Sequence, residues 1–303
     1  ATRSSRAREL LTERAPAILN TRSRTVQPDA AFIKFDDFLR ALPAGVQLLS
    51  LFASNPSLLD LVAEIMGSAP RLAEWLSRNP ALLDGVLTQG FFDMPPALEE
   101  LETELDGALN EARDYQDTLD VIRRWTNDRI FQLGAHMLHG TTDPEEAGAP
   151  LSDIADAGLR ALLPAVRREF SQRHGEVPGG GFAVIGLGKL GGREMTVESD
   201  LDLTFVYDAP VGVSDGPKPL APGLYFTRLS QRLIRAISAP TAEGKLFNVD
   251  MRLRPSGNAG PIVIALEGFL KYQREIAWTW EHMALTRARV IVADDGLARR
   301  IEF

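Results

Sequence analysis

Apolar residues recur at spacings of three and four through the first half of the chain. Phe32, Phe35, Phe38, Leu39 and Leu42 form one such stripe, and Leu58, Leu59, Leu61, Val62 and Ile65 form another. This period lines one face of an α-helix, so residues 29–175 read as a series of helices. Asn55-Pro56 and Asn79-Pro80 each set a capping side chain before a proline at the first helical position. Both open the same short phrase, Asn-Pro-x-Leu-Leu-Asp, but two copies are too few for a solenoid and read as similar helix starts in a bundle. Longer helices are predicted over about 96–113, 115–138 and 152–173. The first 25 or so residues are polar and arginine-bearing, with a weak helical stretch near Arg8–Arg14 before Pro16.

The pattern changes after His174-Gly175 and the loop Pro178-Gly179-Gly180-Gly181. Phe182-Ala183-Val184-Ile185 reads as a short buried strand, and Leu201 to Tyr207 as an alternating one. A Pro/Gly-rich loop covers 209–223, a helix runs from about Leu224 to Ser238, and a third strand is predicted over Leu246–Leu253. The stretch from Leu266 to about Arg289 reads as helical. The fold class is therefore α+β: a helical region over 1–150, then a domain over 151–303 with a small mixed sheet flanked by helices, the composition shifting near 150–175.

The chain has 303 residues and no cysteine, which removes disulfides and thiolate metal sites and fits a reducing cytoplasm. No apolar run is long enough to cross a bilayer, and no secretory signal opens the sequence, so no membrane partner is expected. A net charge of −8 disfavours a broad grip on nucleic acid and points to protein or small-molecule partners. The chain begins without methionine, as a piece of a longer polypeptide would.

The candidate chemistry lies after the first strand. Gly186-x-Gly188-x-x-Gly191 matches a dinucleotide fingerprint, with Asp208 near the ribose-binding position. The spacing argues against that fold, because residues 193–199 leave room for about two helical turns rather than a full crossover helix. The other reading uses every piece. In a strand, Asp200 and Asp202 project to one face while Leu201 and Leu203 point to the core. Adjacent carboxylates repel unless a cation neutralises them, and Mg²⁺ favours such oxygen ligands together with phosphate oxygens. Gly188, Gly191 and Gly192 let the backbone approach a triphosphate, a short helix after them offers N–H groups, and Lys189 adds a charge. Asp250 on the third strand is the candidate third carboxylate. Arg252 and Arg254 alternate with it, to bind phosphate or partner carboxylates, or to pair with Asp200 or Asp202 without metal. His136-x-x-His139 reads as helix surface, and His282 as packing or surface.

These residues resemble the glutamine synthetase adenylyltransferase family. The resemblance rests on Gly186–Met195, Ser199–Leu203, Val249–Gly257, Ala277–His282 and Thr286–Arg289, with Leu42–Val46 and the Asn-Pro-x-Leu-Leu-Asp helices upstream. It implies a DNA polymerase beta-like nucleotidyltransferase fold in a bifunctional enzyme with two such domains, one adding AMP from ATP to a tyrosine of glutamine synthetase and one removing it by phosphorolysis. It further implies control by PII signal proteins and glutamine. The implied metal ligands and catalytic residues are Asp200, Asp202 and Asp250, with Asp250 also helping to remove the tyrosine proton. ATP contacts fall to Gly188, Lys189, Gly191, Gly192, Ser199, Arg252 and Arg254. Arg254-Pro-Ser-Gly257 and Ala277–His282 resemble the adenylylating half, whose further C-terminal helical domain is expected to be missing here. The removing half, or a catalytically silent module that binds nucleotide or PII, are the alternatives. Trp278 and Trp280 are expected to anchor a protein partner, with at least one of them in the core.

Overall fold

The computed structural model describes residues 51–301 apart from Ala53, Ala81 and Gln89, together with Ile33 and Phe38. The helix expected near Arg8–Arg14, most of the Phe32–Leu42 stripe and Leu42–Val46 lie outside these residues. Ile33 and Phe38 are both helical, and Phe38 is buried. By compactness the chain divides into a first unit, residues up to Pro95 with Asp128–Pro144, and a second unit, Pro96–Asn127 with Glu145–Phe303.

In the first unit, α1 (Pro56–Ser68) and α2 (Pro70–Arg78) lead to the short α3 (Leu82–Val86). Leu58, Leu59, Leu61, Val62 and Ile65 of α1 are all buried, as their spacing predicts. The two asparagines do not cap as expected. Asn55 precedes α1, but its side-chain amide donates back to the Leu51 carbonyl. Asn79 closes α2, where its backbone N–H donates to the Trp75 carbonyl, and the next helix starts only at Leu82. A helix end leaves carbonyls without partners, and an amide donor satisfies them as readily as an amide oxygen caps a start.

The second unit contains α4 (Leu98–Leu109), most of α6 (Pro144–His174) and the first half of α5 (Tyr115–His139). Helix α6 starts at Pro144, earlier than the pattern predicts, and continues through Pro150 and Pro164. The sheet is mixed and five-stranded: β1 (Gly181–Gly186), β2 (Leu201–Asp208), β3 (Val249–Asp250), β4 (Val263–Ala265) and β5 (Arg289–Ala293). The order is β3-β2-β1-β5, with β4 also on β2; β1 runs antiparallel to β2 and β5, while β3 and β4 run parallel to β2. Phe182 of β1 and Tyr207 of β2 stack on Phe226 of α8 (Pro222–Ser238). On the other face, Ala183, Ile185 and Val206 pack with Leu266 and Phe269 of α9 (Leu266–Glu275) and Leu297 of α11 (Asp295–Ala298).

Three expectations are corrected here. The third strand is two residues long, because the chain turns after Asp250. The final stretch, Leu266 to about Arg289, is two helices, α9 and α10 (Thr279–Leu285), with a break at 276–278, and its last residue opens strand β5. The β-branched run Val290-Ile291-Val292 carried that signal. Finally, the short helix lies inside the glycine run, as α7 (Gly188–Gly191), rather than after it.

Two glycines separate propensity from close approach. A Cβ on Gly107, exposed within α4, meets nothing within 4 Å, so Gly107→Ala should raise stability by about 1 kcal/mol. A Cβ on Gly191 would stand 1.8 Å from the Arg287 carbonyl oxygen, so Gly191→Ala should lower it by roughly 1–3 kcal/mol. Urea unfolding of both variants checks the opposite signs.

Candidate functional site

Strand β2 buries Leu201 and Leu203 and leaves Asp202 half-buried between them, with Asp200 exposed just before the strand. Parallel pairing sets Asp202 directly opposite Asp250 on β3. The period-2 strand and the neighbouring register thus bring Asp200, Asp202 and Asp250 to one edge of the sheet. Burial raises the Asp202 carboxyl above its ordinary range, and the charges of Asp200 and Asp250 raise it further; Arg252 and Lys189 act in the opposite sense.

Asp250 is held differently. The Arg252 backbone N–H donates to its Oδ1 at 2.8 Å and the Arg252 Nε–H to its Oδ2 at 2.7 Å. This pairing pulls the Asp250 carboxyl below the usual carboxylate range. Arg252 itself is exposed. Arg254 is buried, and its guanidinium donates to the carbonyls of Met251, Asn258 and Gly260, binding together the loop after β3.

The glycine run touches Asp202. The Leu187 N–H donates to the Asp202 carbonyl at 2.9 Å. Gly188 has φ +53°, and a Cβ there would lie 2.2 Å from Asp202 Oδ2, so only glycine fits both the backbone and the contact. Lys189 is in α7, Gly191 abuts the Arg287 carbonyl, and the Gly192 N–H donates to the Gly188 carbonyl. The Ser199 hydroxyl accepts the Thr196 N–H and contacts the Thr196 hydroxyl, closing the turn that leads into β2. The β1–β2 connection is antiparallel with one helical turn inside it, which rules out the dinucleotide-binding crossover.

The donor set matches a hard divalent cation in type: carboxylate oxygens at one sheet edge, one of them lifted by burial and then by its neighbours' negative charge. Asp250 meets this shortage through Arg252, and among the described residues no three His, Cys, Asp or Glu side chains are already grouped to hold an ion.

Several residues outside this edge behave differently from their sequence reading. His136 is buried, not on the surface. Its ring Nε2 lies 2.5 Å from the Phe91 carbonyl, and burial pushes its pKa down, because this face of α5 turns into the first unit. His282, by contrast, is exposed, within its reading as packing or surface, with its ring Nε2 2.8 Å from the Gln273 carbonyl. Trp278 and Trp280 are 72% and 56% exposed, so neither is in the core. Glu281 takes the interior position instead, accepting the Trp278 N–H and the Tyr272 hydroxyl, both at 2.8 Å. The sequence reading gave no role to Asp156 or to Arg289, which ends the Thr286–Arg289 stretch; they form an ion pair behind the glycine run, with Asp156 fully buried, and lie too far apart in the chain for spacing to pair them.

A family model for glutamate-ammonia ligase adenylyltransferase matches residues 59–302. The chain is 50% identical over 303 residues to the bifunctional glutamine synthetase adenylyltransferase/adenylyl-removing enzyme of Mesorhizobium japonicum, covering 99% of this chain and 31% of that protein. It is 48% identical over 304 residues to the enzyme of the same name from Brucella melitensis, and 47% identical over 304 residues to that of Rhizobium meliloti. In both cases it covers all of this chain and 31% of the relative. The chain thus spans about a third of the length of the curated relatives it matches.

The raised Asp202 carboxyl has a signed consequence. An acid whose folded pKa lies above its unfolded value of 3.8 binds more protons when folded, so stability falls as pH rises from that value through the folded pKa. Asp202→Asn removes this penalty. Without metal its melting temperature at neutral pH should match or exceed that of the unaltered chain, and the gap should close at low pH, where Asp202 is protonated in both states. Added Mg²⁺ should stabilise the unaltered chain and leave Asp202→Asn unmoved. Thermal melts across pH, with and without Mg²⁺, check all three.

Proposed function

We propose a nucleotidyl-transfer role for this chain, which belongs to the glutamate-ammonia ligase adenylyltransferase family. The observation that carries the reading is the meeting of Asp202, Asp250 and the glycine run at one sheet edge. In this reading the chain moves AMP from ATP to a tyrosine of glutamine synthetase. The relatives' names carry both addition and removal. Addition is favoured by the likeness of Arg254-Pro-Ser-Gly257 and Ala277–His282 to the adenylylating half.

Asp200, Asp202 and Asp250 are the residues that would hold Mg²⁺, with Asp250 shared between this role and Arg252. Bound magnesium supplies positive charge against the transferring phosphate. The chain's own groups do the rest. The backbone at Gly188, Gly191 and Gly192 leaves room for the triphosphate, and Lys189 and the exposed Arg252 bring cationic charge to its oxygens. Ser199 and Arg254 contribute by fixing loops, Ser199 ahead of β2 and Arg254 after β3. Asp250 is the carboxylate proposed to help remove the tyrosine proton, and its pairing with Arg252 must loosen for it to do so. Exposed Trp278 and Trp280 offer the apolar anchors that a protein acceptor needs.

The deciding assay offers the chain each substrate separately. Unmodified glutamine synthetase with ATP and Mg²⁺ should gain one adenylyl group per modified subunit by intact mass, and the adenylylated enzyme with phosphate should lose little. Faster ADP release from the adenylylated enzyme would assign the removing activity instead, and nucleotide binding with no transfer in either direction would leave a binding module.

A further inference from the structure

We infer that Asp156 and Arg289 are positioning residues that set the glycine run against Asp202, an inference that rests on the transfer role proposed above. Asp156 is fully buried in α6, and its partner reaches it from the first residue of β5. The two terminal nitrogens of Arg289 both donate to the Asp156 carboxylate, and one of them, Nη2, also donates to the Leu190 carbonyl at 3.0 Å. Leu190 belongs to α7, a single turn, and its carbonyl also accepts the Arg193 N–H at 3.3 Å. The guanidinium adds a second, shorter donor from outside the turn, while the carboxylate fixes its plane.

The same segment grips the run at two further points. Arg289 pairs across the sheet with Gly186, the residue on which β1 ends and the run begins. The Arg287 carbonyl packs so closely on Gly191 that a Cβ there would stand 1.8 Å away. The run in turn meets Asp202 through the Leu187 N–H and the bare face of Gly188. A continuous path of contacts therefore leads from α6 through Arg289 to the central carboxylate of the site.

Energetics favour placement over bulk stability as the role of this pair. Burial raises the Asp156 carboxyl, although the Arg289 hydrogen bonds and charge oppose the shift. Buried ion pairs are often no better than apolar side chains of equal volume, so stability alone is a weak reason for one here. A fork with two simultaneous directions, towards a carboxylate and towards a carbonyl, does what an apolar contact cannot. Lysine would keep the charge and lose the fork.

Helix α6 supplies a control. Arg167 forms a forked pair with Asp294, at 2.8 and 2.6 Å, which also accepts the Phe182 N–H; this pair ties the helix to the start of β1 and touches nothing in the glycine run. The test compares Arg289→Lys, Asp156→Asn and Arg167→Gln in the full chain. The readouts are melting temperature, affinity for a non-hydrolysable ATP analogue with Mg²⁺, and kcat and KM for AMP transfer. Arg289→Lys and Asp156→Asn should lose on the order of 100-fold in kcat/KM, the scale of an ångström-sized misplacement, and should bind the analogue more weakly. Arg167→Gln should lower the melting temperature yet leave kcat, KM and analogue affinity unchanged. If Arg289→Lys does not fold, Asp156→Asn carries the same expectation, since its amide still accepts from the guanidinium. Folded Arg289→Lys or Asp156→Asn with unaltered analogue affinity and kcat/KM would overturn the inference, as would an equal loss in Arg167→Gln. An unaltered chain that binds the analogue but transfers nothing contradicts the proposed function, while analogue affinity in the variants still decides the placement.

Discussion

The site depends on mutual repulsion among carboxylates that the sheet will not let separate. Asp202 cannot turn away without breaking β2, whose neighbours Leu201 and Leu203 are buried, and register fixes Asp250 opposite it. The chain offsets part of that repulsion with its own cations. Arg252 satisfies Asp250, and Lys189 acts at longer range on Asp202. What remains unsatisfied is the raised carboxyl of Asp202, and it is this residue against which the glycine run presses its only feasible side-chain-free face, Gly188.

Holding that arrangement is the work of α6. Asp153, Asp156 and Arg160 lie three and four residues apart along one face of the helix. They reach Arg193, Arg289 and the Ile291 carbonyl in turn. A single long helix thus fixes both ends of the glycine run and the edge strand beside it through polar contacts with defined directions. The apolar core fixes the sheet as a whole, with Phe226 on one face and Phe269 and Leu297 on the other.

Much of this was legible in the sequence because it is periodic. The apolar stripe of α1, the buried strand β1 and the alternation in β2 all follow from spacing, and the adjacency of Asp200 and Asp202 is a consequence of strand geometry. Contacts between distant residues were not legible. Asp156 and Arg289 are ordinary residues in their own segments and acquire meaning only when α6 packs on β5. Strand β5 went unread, because it begins where the helical stretch was set to end and its β-branched core is brief. Arg254 looked like a phosphate ligand by its alternation with Asp250, but the turn after β3 ends the alternation and gives it loop carbonyls to hold. His136 was misjudged for a related reason: which face of a helix turns inward is decided by its tertiary neighbours, here Phe91.

The claim at the centre of this account is that the carboxylate edge is a cation and nucleotide site. A crystal structure of the chain grown with Mn²⁺ and a non-hydrolysable ATP analogue tests it most directly. The account predicts anomalous density between Asp200, Asp202 and Asp250, the analogue's phosphates against the glycine run, and Arg252 drawn from Asp250 towards phosphate oxygen. Anomalous density elsewhere, or bound analogue with Asp250 still paired to Arg252 and no metal at the edge, would contradict it.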